Sequence, residues 1–156
     1  MTKQRLAVVE TERAIEPQHV TSKARRRFLD FAIDGRALYP DIRQRGLDCI
    51  TPLWVDDDKA RDAAVEAVRR LLTEIDGDAP DGRVTVYGCA ECGDLGCGAA
   101  TVRIKVGDDA ITWSDWGWQT NYSDEVDRLQ GMEDMTFDRA QYDETLRQAM
   151  RRLTDA

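Results

Sequence analysis

The residues with the greatest capacity for chemistry are three cysteines in one short glycine-rich stretch, CAECGDLGCG. Cys89, Cys92 and Cys97 follow the spacing C-x2-C-x4-C, and the only other cysteine of the chain is Cys49. Thiolate sulfur is a preferred zinc ligand, and glycines allow a short segment to fold tightly enough to bring several sulfurs to one ion. The spacing therefore makes Cys89, Cys92 and Cys97 candidate ligands of a zinc ion.

Three interpretations of this cysteine-rich stretch remain open. A zinc site needs four ligands, so the fourth would be Cys49, His19, a carboxylate or water. Thiol redox chemistry is the second interpretation, although Glu91 and Asp94 place negative charge beside the thiols and should raise their pKa values. In the third interpretation, the cysteines are small apolar side chains of a tight structural loop.

A second candidate site is a group of aromatic and acidic side chains in and after the cysteine stretch. Tryptophan is large and rigid and is enriched at binding hot spots, whereas packing in the core is the alternative interpretation. Two carboxylates, Asp94 and Asp115, lie where neither a helix start nor a turn explains them. The predicted binding residues are Asp94, Trp113, Asp115, Trp116, Trp118 and Tyr122.

The composition disfavours several classes of ligand. The chain of 156 residues carries a net charge of -8, which repels phosphate backbones, so we expect no nucleic-acid ligand. No stretch reaches the ~20 apolar residues of a membrane helix, and no apolar run typical of a signal peptide occurs near the N-terminus. We therefore expect a cytoplasmic protein without membrane contact, whose cysteines are reduced thiols or metal ligands.

The elements that must position these residues are predicted to belong to one main domain. Residues 1–27 form a polar segment with a first strand at residues 6–10, and residues 28–156 form a single α+β domain. A β-hairpin is predicted over residues 28–39, because apolar residues alternate on either side of the turn-forming pair Asp34-Gly35.

Two helices are predicted from apolar stripes with helical spacing. The first covers residues 57–75, begins at a run of aspartates and ends before Gly77. The second covers residues 137–153, with Thr136 as its N-cap. Both helices are expected to pack on one side of an antiparallel β-sheet, the layered arrangement of an α+β fold.

Three strands of that sheet are predicted at residues 83–89, 100–106 and 110–118. A two-residue turn between the last two strands places Ile104 opposite Trp113 and puts apolar side chains on one face. The same register places Val102 opposite Asp115. Because a charged side chain does not belong opposite a core valine, we expect either a β-bulge at residues 114–116 or a polar site around Asp115.

The segment CAECGDLGCGAATVRIKVGDDAITWSDWGWQ resembles a turn and hairpin in a family of small uncharacterised bacterial proteins. The shared pattern is C-x-E-C-G-D-L-G-C-G, then a strand, then W-x-D-[FW]-G-W, and it covers about residues 83–122. The resemblance implies the same hairpin fold. It implies no activity, cofactor or partner, since none is established for that family.

Two classes of function are compatible with these features. The first is a small acidic binding protein, immunity-like or regulatory, that acts through a protein partner and carries a structural zinc at the cysteine stretch. It rests on the charge, the tryptophans and the lack of a recognisable nucleophile–base pair. The alternative is a thiol- or zinc-dependent enzyme, oxidoreductase-like in its chemistry, that uses Cys89, Cys92 and Cys97.

Overall fold

Two antiparallel β-sheets form the framework of the computed structural model, which describes residues 2–155. The strands are β1 (Leu6–Glu12), β2 (Arg27–Ile33), β3 (Arg36–Ala37), β4 (Cys49–Ile50), β5 (Val84–Cys89), β6 (Ala99–Val106), β7 (Ala110–Gln119), β8 (Asp127–Arg128) and β9 (Met135–Asp138). The first sheet has the order β1-β2-β3. The second has the order β4-β5-β6-β7, with β8 and β9 each paired to β7.

The helices of this part of the chain are α1 (Tyr39–Gln44), α2 (Arg61–Leu71) and α3 (Arg139–Thr154). The two longer helices, α2 and α3, pack against each other, and α3 also contacts β1 and β7. Their buried stripes follow the predicted spacing and comprise Ala64, Ala67, Val68, Leu71, Tyr142, Leu146, Ala149 and Leu153. The predicted α+β fold is thus confirmed. Among the described residues, no helix combines the length and apolar character required to cross a lipid bilayer.

The helix boundaries differ from the prediction for local reasons. A short 3-10 turn, Asp58–Ala60, precedes α2, and Thr73 adopts a φ of 62°, which ends the helical conformation before residue 75. The prediction of Thr136 as an N-cap is wrong, because α3 begins at Arg139, two residues later than predicted. Asp138 caps α3 instead and accepts a hydrogen bond from the backbone N–H of Gln141 at 3.0 Å.

The hairpin predicted at Asp34-Gly35 is confirmed by the pairing of Ile33 with Arg36. Both turn residues have positive φ, 51° and 83°, as a tight turn between twisted antiparallel strands requires. The first strand is longer than predicted, since β1 extends to Glu12 and pairs with β2 along its whole length. The polar segment before residue 28 therefore contributes an edge strand to the first sheet.

The bulge predicted between residues 114 and 116 is also present. Strands β6 and β7 have the predicted register at Ile104 and Trp113, and the register then shifts because β7 accommodates an extra residue. Asp115 lies in this bulge with a φ of 61°. The shift directs Trp116 into the core, where its side chain is 1% exposed.

Trp113 lies in the core between the two sheets and α3. Its ring makes edge-to-face contacts with Phe31 of β2 and Phe137 of β9, at centroid distances of 5.3 and 5.2 Å. Its indole N–H donates a hydrogen bond to the Tyr142 hydroxyl of α3 at 2.9 Å. These contacts join both sheets to α3 and fix the position of β7, which pairs with β6, the strand that follows the cysteine-rich stretch.

Candidate metal centre

The three predicted zinc ligands lie in residues 89–98, which connect β5 to β6 and are called the cysteine loop below. Cys89 is the last residue of β5. A 3-10 turn, Leu95–Cys97, lies near the end of the loop, just before β6. Asp94 caps this turn and accepts a hydrogen bond from the backbone N–H of Gly96 at 2.8 Å. The local fold of the loop therefore accounts for Asp94.

The last residue of the cysteine loop, Gly98, packs directly against the ring of Trp118. Gly98 has a φ of 94°, and a Cβ atom at this position would collide with the ring of Trp118. Only glycine fits both the positive φ and the close approach. Trp118 of β7 is partly buried, and the end of the loop packs on its ring.

The sulfur atoms of the three loop cysteines converge. Those of Cys89, Cys92 and Cys97 all lie within 4.8 Å of one another, and the Sγ atoms of Cys92 and Cys97 are 3.5 Å apart. Sulfurs at about 2.3 Å from a tetrahedral zinc ion are about 3.8 Å from each other, whereas a disulfide bond measures about 2.0 Å. The spacing is compatible with a zinc site. Within residues 2–155, no other trio of Cys, His, Asp or Glu side chains is this compact.

Backbone N–H groups of the loop donate to two of these sulfurs. The Cys89 sulfur accepts from the backbone of Cys92 and Glu91, and the Cys92 sulfur accepts from the N–H of Asp94 at 3.4 Å. Burial opposes ionisation of Cys89, yet these donors lower its pKa below the ordinary thiol value. The prediction that neighbouring carboxylates raise the thiol pKa is therefore wrong for Cys89. Such donors stabilise the thiolate, which is the form of cysteine that binds metals.

Cys97 completes the group, and its pKa shifts in the direction opposite to that of Cys89. Hydrogen bonds with Cys92 and then with Cys89 raise the pKa of Cys97 to about 11. A bound zinc ion would replace the proton of Cys97, because the cysteine ligands of zinc are thiolates.

A buried arginine from the N-terminal segment anchors the cysteine loop. The side chain of Arg13 is 1% exposed and forms ion pairs with Asp48 at 2.6 Å and with Glu91 at 2.8 Å. Glu91 is part of the loop, and Asp48 immediately precedes Cys49 of β4. Because Arg13 compensates both carboxylates, their negative charge opposes ionisation of the loop thiols less than the sequence predicts.

A second arginine contacts the backbone of the loop. Arg26 donates hydrogen bonds to the carbonyls of Ala90 at 3.1 Å and Glu91 at 2.9 Å, and its guanidinium lies 4.3 Å from the ring centroid of Trp54. The sequence does not predict the roles of Arg13 and Arg26, since 78 and 64 residues separate them from their loop partners. Their only signal is a concentration of basic residues at the start of an acidic chain.

Neither cysteine nor histidine from elsewhere joins the compact group. Cys49 pairs with Cys89 across β4 and β5 but is 4% exposed. Burial, followed by the nearby Cys89 sulfur, raises the pKa of Cys49 to about 12, so Cys49 is a neutral thiol. His19 lies in the 3-10 turn Pro17–His19, outside the group. The loop therefore offers three protein ligands, the number found where zinc keeps one position open.

The predicted tryptophan strip does not form one exposed face. Trp113 and Trp116 are core residues with exposures of 0% and 1%. Trp118 is partly buried under Gly98, and Tyr122 is 77% exposed. The four aromatic residues therefore differ in environment, although they are close in sequence.

Asp115 lies in a polar site made by three arginines. Its carboxylate is 3.3 Å from Arg83, 3.1 Å from Arg128 and 3.6 Å from Arg103. The Arg83 side chain is 1% exposed, so Asp115 compensates a buried charge. Both predicted explanations of Asp115, a bulge and a polar site, are thus present.

Comparisons with known proteins assign no family to this chain. No protein-family model matches it, and neither a curated protein nor a solved structure matches it. The resemblance of the cysteine loop and hairpin to small bacterial proteins therefore stays a prediction, and a functional assignment rests on the geometry of the loop.

Proposed function

We propose that this protein binds one zinc ion through Cys89, Cys92 and Cys97 of the cysteine loop. The observation that carries the proposal is the convergence of three sulfurs within 4.8 Å of one another. Backbone donors to Cys89 and Cys92 support it, because they stabilise thiolates before a metal is bound. A set of soft sulfur ligands favours zinc over calcium or magnesium, which bind through oxygen.

The charges around the loop suit a metal with thiolate ligands. The net charge of three thiolates and one Zn²⁺ is about -1. Arg13 and Arg26 both contact the loop, and Lys23 pairs with Asp48 at 2.8 Å beside Arg13. Since Arg13 and Lys23 pair with Asp48 and Glu91, it is the charge of Arg26, which donates to loop carbonyls, that favours an anionic centre.

The proposed metal acts locally, because the core does not depend on the loop sulfurs. Cys92 and Cys97 are exposed, whereas the aromatic core around Trp113 is fully buried. A domain of about this size buries enough apolar surface to fold without a metal. Zinc would therefore order the loop rather than the whole fold.

The test is the metal content of protein purified without chelator, combined with a count of thiols that react under native conditions. We expect about one zinc per chain and protection of Cys92 and Cys97 that ends when a chelator is added. Both thiols are exposed, so they should react readily if no metal covers them. Protein that contains no zinc and takes up none from solution would contradict the proposal.

Thiol redox chemistry is the second candidate, favoured by the 3.5 Å separation of the Cys92 and Cys97 sulfurs. A small rotation would allow a disulfide bond of about 2.0 Å, with two electrons and two protons passing to a disulfide or peroxide oxidant. The same experiment separates the candidates. Metal-free protein that loses these two thiols on mild oxidation and regains them on reduction would favour redox chemistry.

The protein partner expected from the sequence stays a prediction. Of the predicted binding residues, Tyr122 is 77% exposed, whereas Trp113 and Trp116 are buried. A partner that binds this region would therefore contact Tyr122 and the exposed part of Trp118. Tyr122→Ala should then weaken association with that partner and leave the zinc content unchanged.

A further inference from the structure

An open cleft with a volume of ≈ 180 Å³ borders the cysteine loop. This volume is below the about 300–1,000 Å³ of a typical small-molecule site, so the cleft suits only a small molecule. Cys89, Cys92 and Gly93 line the cleft on the loop side. A metal ion held by the loop cysteines would therefore lie at the wall of the cleft, within reach of a molecule bound there.

The other walls of the cleft are mainly apolar. Helix α2 and the 3-10 turn before it present alanines, where larger side chains would fill the space. The apolar lining comprises Ile50, Pro52, Trp54, Ala60, Ala63 and Ala67. A molecule with an apolar body therefore suits the cleft better than a strongly hydrated one.

One polar group of the cleft lacks a partner. Thr85 lines the cleft, and its hydroxyl oxygen is buried without a hydrogen-bond partner among residues 2–155. Because the surrounding protein covers this oxygen, a molecule in the cleft does not reach it. The charged side chains that line the otherwise largely apolar cleft are Arg70 and Asp78.

A positive charge lies next to the cleft. Arg26 stacks on the ring of Trp54, which lines the cleft. Its guanidinium donates to the carbonyls of Ala90 and Glu91 rather than to a carboxylate. The charge of Arg26 therefore favours an anionic group at the loop side of the cleft.

We propose that the cleft binds a small thiol with an apolar body, whose thiolate sulfur is the fourth ligand of the zinc ion. This inference rests on the proposed zinc site. Three cysteines leave one tetrahedral position free, and a sulfur-rich soft site favours a further sulfur donor. The apolar body of the thiol occupies the space between Trp54 and the alanines of α2.

The coordination step involves no change of oxidation state. The sulfur of the thiol bonds to zinc and loses its proton to solvent, and the water that held the fourth position leaves. The thiolate adds one negative charge close to Arg26. Binding should therefore release about one proton per thiol bound.

The test uses the full-length protein with Co²⁺ in place of zinc, because the cobalt–thiolate absorption grows with the number of sulfur ligands. Phenylmethanethiol is the probe, and phenylmethanol is the matched control, since the two molecules differ only in sulfur or oxygen. We expect the thiol to increase the absorption to a plateau at about one equivalent per chain. The alcohol should leave the absorption unchanged.

A pair of variants locates the bound thiol. Ala63 is exposed on α2 and lines the cleft, whereas Ala140 is exposed on α3 and is not part of the cleft lining. Ala63→Leu should weaken binding of phenylmethanethiol about tenfold without changing the cobalt content. Ala140→Leu, the matched control, should bind the thiol like the wild-type protein.

Three results would overturn this inference. Equal spectral effects of phenylmethanethiol and phenylmethanol would exclude a sulfur ligand, and unchanged affinity of Ala63→Leu would place the thiol outside the cleft. Loss of cobalt from Cys49→Ala would indicate a closed site of four cysteines with no free position. Failure of the wild-type protein to bind Co²⁺ or Zn²⁺ would instead contradict the proposed zinc site. The experiment therefore distinguishes failure of the zinc site from failure of the thiol-binding cleft.

Discussion

The cysteine loop and the aromatic segment of β7, residues 113–118, both contain residue types that suggest a function, but they have opposite environments. Trp113 and Trp116 are buried, and their rings pack edge to face at 6.1 Å. Cys92 and Cys97 are exposed, and their sulfurs lie 3.5 Å apart. Residue type alone therefore does not separate a site from a core, whereas exposed groups that converge on one point do.

The two regions are also held in place differently. Strand β7 pairs with β6, β8 and β9, so its position depends on the sheet and the core. The cysteine loop is anchored from outside the sheet by Arg13 and Arg26 of the N-terminal segment. Substitutions in the aromatic segment should consequently affect global stability, and substitutions in the loop should affect metal binding.

The largest effect is expected for Trp113→Ala. Removing a fully buried tryptophan that contacts both sheets and α3 leaves a cavity and should lower the free energy of unfolding by about 3–5 kcal/mol. Denaturation in urea measures this change. The control is Tyr122→Ala at an exposed position, which should change stability by less than about 0.5 kcal/mol. Equal effects of the two variants would contradict the contrast between core and surface.

A smaller loss is expected for Arg13→Ala, which removes the anchor of the cysteine loop. Its side chain is buried, but Asp48 and Glu91 are 39% and 46% exposed, so solvent screens part of the interaction. We expect a loss of about 2 kcal/mol and faster exchange of amide hydrogens in the loop. Arg36→Ala is the control, since its pair with Asp41 is exposed and should contribute less than about 1 kcal/mol. Unchanged loop exchange in Arg13→Ala would exclude the anchoring role.

The pH dependence of stability provides a test within the core. Burial raises the pKa of Asp30 above its ordinary value of 3.8, although hydrogen bonds from Tyr87 and Tyr39 partly oppose this. Between pH 3.8 and the folded pKa, the folded protein therefore keeps a proton on Asp30 that the unfolded chain has lost. The resulting stability is fully present below pH 3.8 and is lost as pH rises through the folded pKa. Asp30→Asn should flatten the fall in unfolding free energy above that pH, and identical slopes in both proteins would contradict this assignment.

The smallest effect on the overall fold is expected from chelation. Removing zinc should leave the cooperative tertiary structure around Trp113 intact, because the loop sulfurs are not part of the core. Near-ultraviolet circular dichroism measures the tryptophan environment, and hydrogen exchange measures the loop. Loss of the tryptophan signal on chelation would show that the metal supports the whole fold rather than the loop.

Much of the fold follows from local sequence patterns. The turn at Asp34-Gly35, the pairing of Ile104 with Trp113 and the bulge near Asp115 depend on alternation and turn chemistry, which neighbouring residues determine. The N-cap of α3 was harder to predict, because Thr136 and Asp138 are both good caps and the extension of β9 decides between them.

The candidate site was only partly predictable for a physical reason. The spacing of Cys89, Cys92 and Cys97 indicates that their sulfurs can converge, since all three lie in one short loop. The contacts of Arg13 and Arg26 join distant parts of the chain and leave no local pattern. The cleft likewise depends on the packing of α2 beside β5, which exists only in the folded protein.

The most direct test of the zinc site is the zinc content of the wild-type, Cys97→Ser and Cys49→Ala proteins, purified side by side without chelator. Cys97 belongs to the compact group, whereas Cys49 is a buried thiol beside Cys89 and outside that group. We predict about one zinc per chain in the wild-type and Cys49→Ala proteins and about tenfold less in Cys97→Ser. No zinc in the wild-type protein, or equal zinc in all three, would contradict the assignment of the cysteine loop as a metal centre.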